Sequence, residues 1–334
     1  MKKSNRNDSY DLLRIVSCIA VIICHVNYLY FDKIVFTPSN SYLWIVESLI
    51  NIIVRFCVPC FVMLSGAMLL GNKENRDFVT FYKKRLTKIL IPTLIIGLLI
   101  YIYSIVITKD IIGYSRQILV GSFYNYWYIY MTFGLYILTP FIIRLKETLT
   151  NKQYIIATFT LLVWAIESQI STSYDLPYSI GVVFAFLSYF MFGNVICENK
   201  EKIKLNKLSL IIIALCCIAI TFVWRYLGHN NSKLVVDAYT NFFSPTIAIY
   251  SICIFTLFTK IKVNNKFYSI SKYTLYIYLL HTFVYSSLFS IIEKLNLDNL
   301  LKTFILAAIT IFVSFVGSIV YKKLSELVFK KKDK

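Results

Sequence analysis

The chain has 334 residues, 58% of them hydrophobic and 16% charged, with a formal net charge of +18; that apolar share exceeds what a water-soluble domain carries and assigns the chain to lipid. In a soluble protein such a charge would suggest nucleic acid, but here Lys and Arg fall in short loops between apolar runs, where they report topology and exclude a nucleic-acid partner. No polar block is long enough to fold separately, so residues 1–334 read as a single membrane domain that ends in a basic tail, 323–334.

A membrane-crossing helix needs about 20 apolar residues. Segments meeting that rule lie near 12–31, 43–70, 89–107, 125–143, 154–170, 179–197, 208–227, 242–259, 273–291 and 303–321. The expected fold is therefore all-α, a polytopic bundle of about ten transmembrane helices with both termini on one side. With the N-terminus inside, the cytoplasmic stretches carry Lys2, Lys3 and Arg6, the cluster from Lys73 to Lys88, and Arg144, Lys146 and Lys152. Lys200 to Lys207, Lys260 to Lys272 and the tail from Lys322 follow, whereas the opposite loops hold only Lys33, Lys109, Arg116, Lys233, Lys294 and Lys302. Asymmetry repeated at every loop is the positive-inside pattern and puts both termini in the cytoplasm. Tyrosines near span ends, such as Tyr124 to Tyr128, suit aromatic belts.

The eight cysteines all fall in or beside apolar segments, where thiols act as small hydrophobes. Cys57-Val-Pro-Cys60 has redox spacing, but inside an apolar helix it reads as packing. Three histidines without clustered cysteines give no metal site. No P-loop, dinucleotide fingerprint or nucleophile elbow is present.

Charged groups inside spans are costly and mark functional candidates. Helix one carries Asp11, Arg14 and His25. Eleven residues at about 100° each return His25 to within roughly 20° of the Arg14 face, about 16 Å further along the axis. One side of the helix thus presents a guanidinium near one interface and, toward the other, an imidazole suited to taking and returning a proton at neutral pH. The plainer alternative is that Arg14 snorkels and His25 caps the apolar run. Helix two bears Glu47, Asn51 and Arg55 at four-residue spacing, a polar stripe in which Glu47 and Arg55 are expected to hold each other through Asn51. Pro59 removes a helical hydrogen bond, and Ser65-Gly66 lets a helix or ligand approach closely. Glu167, Arg225 and the mid-span His281 complete the intramembrane set, and His229 is assigned no role.

These residues resemble the acyltransferase-3 family. Arg14-IVSCIAVIIC-His25 matches its first-helix spacing, and Val58-Pro-Cys-Phe-Val-Met-Leu-Ser65-Gly66 its second-helix segment. Trp127-Tyr128 followed by Tyr136 and Pro140, and Tyr278-Leu-Leu-His281, are similar to two later motifs in the same order. The resemblance is nearest to stand-alone surface-polysaccharide O-acetyltransferases of the bacterial cytoplasmic membrane. It implies transfer of an acyl group, usually acetyl, from cytoplasmic acetyl-CoA as co-substrate to a hydroxyl of a cell-envelope glycan or lipid-linked sugar, with no tightly bound cofactor. By position, His25 matches the family's essential histidine and Arg14 its partner arginine. The family's Arg-x-x-Arg falls on Arg85-Leu-Thr-Lys88, where Lys lacks the bidentate fork of Arg.

On that basis Arg85, Lys88 and Arg14 are expected to hold the donor's phosphates while the thioester points toward His25. The imidazole would then act as general base or carry the acyl group, two routes that the sequence leaves open. Glu47, Glu167 and Asp11 are the carboxylates available to orient it, Glu47 nearest in depth. Arg55 or backbone amides near Ser65-Gly66 would receive the oxyanion. The rival reading is a transporter or flippase of a lipid-linked sugar.

Overall fold

The computed structural model describes residues 8–31, 37–119, 123–171, 178–228, 241–263 and 267–330. Lys2, Lys3, Arg6, Lys33, His229, Lys233, Lys266 and the end of the basic tail lie outside the described residues. All regular structure among the described residues is helical. The α-helices are α1 (Asp8–Phe31), α2 (Ser41–Val54), α3 (Cys57–Leu69), α4 (Phe78–Thr108), α5 (Ile111–Leu119), α6 (Trp127–Thr148) and α7 (Asn151–Ser171). They continue with α8 (Tyr178–Glu198), α9 (Lys207–Leu227), α10 (Pro245–Lys260), α11 (Tyr268–Ser271), α12 (Thr274–Glu293) and α13 (Asn299–Lys330).

A helix occupies each of the ten predicted segments. Eight among the described residues are long and apolar enough to cross a membrane: α1, the α2–α3 pair, α4, α6, α8, α9, α12 and α13. Helix α7 is not among the eight, and α10, at 16 residues, is shorter than the usual span of about 20. Outward faces are apolar, as at Leu94, Leu98, Leu99 and Ile102 of α4 and Phe312 of α13, all exposed. Such a continuous apolar exterior suits hydrocarbon and would aggregate in water. The chain is a multi-pass membrane protein.

Local chemistry sets the helix limits. Asp77 caps α4 by accepting the Thr80 amide at 2.8 Å. Hydrogen bonds from the Thr80 hydroxyl and amide hold its carboxyl below the usual range, so the charge sits where the helix dipole favours it. Asn206 caps α9 in the same way at 2.7 Å, and Pro245 opens α10 at a position where its missing N–H costs nothing. The predicted second span is one apolar run, yet it breaks into α2 and α3 at Arg55–Phe56. Pro59 explains this: it has no N–H for the carbonyl four residues back, which belongs to Arg55, and its ring crowds that carbonyl.

Helices α3 and α8 pack main chain to main chain. A Cβ on Gly66 would lie 1.7 Å from the Phe190 carbonyl oxygen, and one on Gly193 would lie 1.9 Å from that of Met63. Small residues are what permit this approach in lipid, where no hydrophobic force drives helices together. The larger core lies around this contact, whereas Cys18, Ile22 and Val26 of α1 pack on α12 and α13 in a second cluster.

One expectation needs correction. The stretch before α6 is not an interfacial belt: Tyr126 is buried, its hydroxyl donating to the Leu279 carbonyl at 2.5 Å, and Tyr124 shares a hydrogen bond with Ser104. The loop after α4 contains α5, whose Ile112 and Leu119 are exposed. The basic tail begins as helix, because α13 runs to Lys330 through Leu324 and Leu327, residues of high helix propensity.

Candidate active site

Helix α1 is the axis of the site. At its N-terminal end Asp11, 3% exposed, accepts a 2.6 Å hydrogen bond from Ser271 of α11 and lies 3.6 Å from the Arg14 guanidinium, which donates to the Met68 sulfur of α3 at 3.3 Å. These contacts set the direction of Arg14 and commit the Asp11 carboxylate. Arg85 and Lys88 lie one turn apart on α4; Lys88 is within electrostatic reach of Arg14, and Arg85 and Arg14 are both within reach of Tyr136. Neither Arg85 nor Lys88 forms an ion pair among the described residues, and the buried Arg85 Nε has no hydrogen-bond partner there. Like charges with spare donors repel unless an anion joins them, so the cluster fits a phosphate-bearing ligand.

Further along α1, His25 turns inward. Its ring centroid lies 5.4 Å from that of His281 and 6.1 Å from that of Tyr285, both buried side chains of α12. The His25 side chain keeps some accessible surface and has no hydrogen-bond partner among the described residues. His281 is fully buried, and its Nδ1 contacts the Tyr278 carbonyl. A carbonyl only accepts, so Nδ1 carries the proton and Nε2 presents a lone pair. That lone pair has no partner among the described residues. The rings continue through Tyr278, 5.2 Å from His281, to Tyr128 at 5.3 Å and Phe61 at 6.1 Å.

Arg55, at the break between α2 and α3, is within electrostatic reach of His25. Its Nε donates to Asn51 Oδ1 at 2.9 Å, and its guanidinium lies 5.5 Å from the ring centroid of Phe242, which neighbours Trp127 at 6.1 Å. The expected partnership of Arg55 with Glu47 is absent among the described residues. Glu47 instead accepts from Arg225 of α9 at 2.7 Å, with Ser48 at 3.3 Å and Asn27 at 3.5 Å also donating to it. Two helical turns separate Glu47 from Arg55 by about 12 Å, and a guanidinium arriving from another helix is closer.

The carboxylates expected to orient His25 are thus engaged elsewhere: Glu47 with Arg225, Asp11 with Ser271 and Arg14. Glu167 is exposed on α7, which packs on α8. Ser65 donates to the Phe61 carbonyl within its own helix at 3.1 Å. The Phe190 carbonyl fills the open side of Gly66, and the amides at 65–66 belong to the α3 interior. Both facts remove this segment as an oxyanion donor. Cys57 and Cys60 are buried and free, and no metal-binding cluster occurs among the described residues. The sequence reading missed Tyr285 and Phe242. Tyr285 shares the stripe of Tyr278 and His281 at helical spacing, a signal present in the sequence.

Fold and site together define an integral membrane protein with a histidine centre enclosed by helices and a separate cationic cluster. The chain belongs to the acyltransferase-3 family, whose domain model, described as an acyltransferase domain, matches residues 7–320. It is also similar to proteins of Staphylococcus aureus strains MSSA476, MW2 and N315, each named "Probable poly-beta-1,6-N-acetyl-D-glucosamine export protein". Identity is 26% over 298 residues, covering 83% of this chain and 82% of each relative. No solved structure matches it significantly.

Proposed function

We propose that the protein is an O-acyltransferase of the bacterial cytoplasmic membrane that moves an acetyl group from acetyl-CoA to a hydroxyl of an envelope glycan or lipid-linked sugar. In this reading there are ten spans, both termini are cytoplasmic, and the donor enters at the end of the bundle bearing Arg14, Arg85 and Lys88. The observation that carries it is the inward aim of His25 toward buried His281, on the same helix that carries Arg14 to the cationic cluster. The cluster binds the donor's phosphates, and the acyl carbon meets the acceptor hydroxyl at His25. Arg55, within reach of His25, stabilises the oxyanion.

The relatives' name favors an amino-sugar polymer as the acceptor class, and it also supports a second reading, export of such a polymer without acyl transfer. Purified protein in detergent, given acetyl-CoA and an N-acetylglucosamine oligomer, separates the two. Thiol release with acetylated oligomer supports the transferase, whereas an inert mixture combined with oligomer movement across proteoliposomes supports export.

A further inference from the structure

The carbonyl of Tyr278 fixes the proton of His281 on Nδ1, which leaves Nε2 as a lone pair in a fully buried ring with no partner among the described residues. A buried acceptor of this kind is costly unless something occupies it. His25 stands across from it at 5.4 Å between centroids without a hydrogen bond between the rings, so the lone pair is left for a third group that enters when the surrounding packing opens. Tyr285 borders both rings, and Tyr278 borders His281. His25 retains accessible surface, whereas His281 has none. One ring keeps accessible surface; the other is held by its carbonyl contact and enclosed by protein.

We propose that the two histidines divide the reaction: His25 receives the acyl group, and His281 Nε2 binds the acceptor hydroxyl and removes its proton. This assignment rests on the acyl-CoA reading above. In the first step a His25 ring nitrogen attacks the thioester carbonyl, the C–N bond forms and the C–S bond breaks. The sulfur leaves as thiol with the proton from the other ring nitrogen. In the second step the acceptor O–H proton passes to His281 Nε2 while the oxygen pair forms the ester C–O bond. The C–N bonding pair returns to His25, which takes the proton back from His281. The cycle consumes one thioester and one hydroxyl and yields one thiol and one ester, both rings ending neutral. Adjacency of the rings has a purpose here, because the proton taken from the acceptor must finish on His25.

The test is a rapid-mixing measurement of thiol release from acetyl-CoA by full-length protein in detergent, with an N-acetylglucosamine oligomer present as acceptor and the acyl-protein quantified by mass spectrometry. H281N keeps a donor for the Tyr278 carbonyl but removes the distal lone pair. It should give a burst of about one thiol per protein and accumulate acyl-His25, with deacylation slowed roughly a hundredfold, a typical general-base contribution. H281A should show the same arrest, and added imidazole should relieve it, which a purely structural role would not predict. Wild-type deacylation by both variants, or loss of the burst itself in both, overturns the division of labour. Failure of the wild-type protein to release thiol overturns instead the donor reading on which it rests.

Discussion

Glu47 of α2 and Arg225 of α9 form a 2.7 Å ion pair across 178 residues of sequence, with Glu47 only 3% exposed. Asn27 of α1 and Ser48 donate to the same carboxylate, so one group ties three helices together. Removing one partner of such a pair leaves the other charge buried and typically costs about 3–5 kcal/mol. Glu47→Gln should therefore lower the thermal midpoint in detergent by several degrees, and Glu47→Gln with Arg225→Met should recover part of the loss. Unchanged midpoints in both would show that the pair does not secure the bundle.

Gly66 and Gly193 offer a steric test. Each Cβ would enter a backbone carbonyl of the facing helix, and backbone cannot step aside as a side chain can. Overpacking typically costs about 1–3 kcal/mol. Gly66→Ala and Gly193→Ala should each reduce the yield of monodisperse protein and lower its midpoint, while Gly181→Ala, with no atom within 4 Å of the added carbon, should not. Equal behaviour of all three variants would contradict the main-chain contact.

His25→Ala should abolish acyl transfer, by at least about a hundredfold, while insertion and midpoint stay near wild type, because the ring makes no hydrogen bond among the described residues. The measurement is transfer to an oligosaccharide by purified protein. Retained turnover would end the catalytic assignment.

Arg85→Ala with Lys88→Ala should raise the donor KM with little change in kcat. Hydrogen bonds to charged groups contribute about 1.5–3 kcal/mol each, so the rise should be tenfold or more. The effect should shrink in high salt, since exposed charges are screened. A donor KM that does not move would leave the two residues as topology signals alone.

Much of the fold was legible because lipid imposes a simple rule: an apolar run long enough to cross becomes a helix, and all ten predicted segments contain one. That Arg14 and His25 share one continuous helix was legible from the apolar run between them, and His281 stood out as an ionisable ring in mid-span. The partnership of Glu47 did not follow. Spacing within α2 pointed to Arg55, whereas the true partner comes from α9, and one sequence does not record which helices become neighbours. The tyrosines before α6 misled for a related reason: an aromatic near a span end suits headgroups or core equally well, and packing against α12 decides it. Gly66 was readable as a site of close approach, but not that the visitor is a peptide carbonyl rather than a ligand.

The contact between Gly66, Phe190, Met63 and Gly193 also bears on motion. Two rods whose main chains touch at a pair of notches cannot slide past each other without climbing out of both, so α3 and α8 act as a single stiff strut. Any widening that admits a bulky sugar then falls to packing made of side chains alone, where α1 meets α12 and α13 through Ile22, Ile277 and Leu306, which are able to change rotamer. Amide exchange should be slowest along the strut and faster beside His25, which would put the ring proposed to react where the bundle yields.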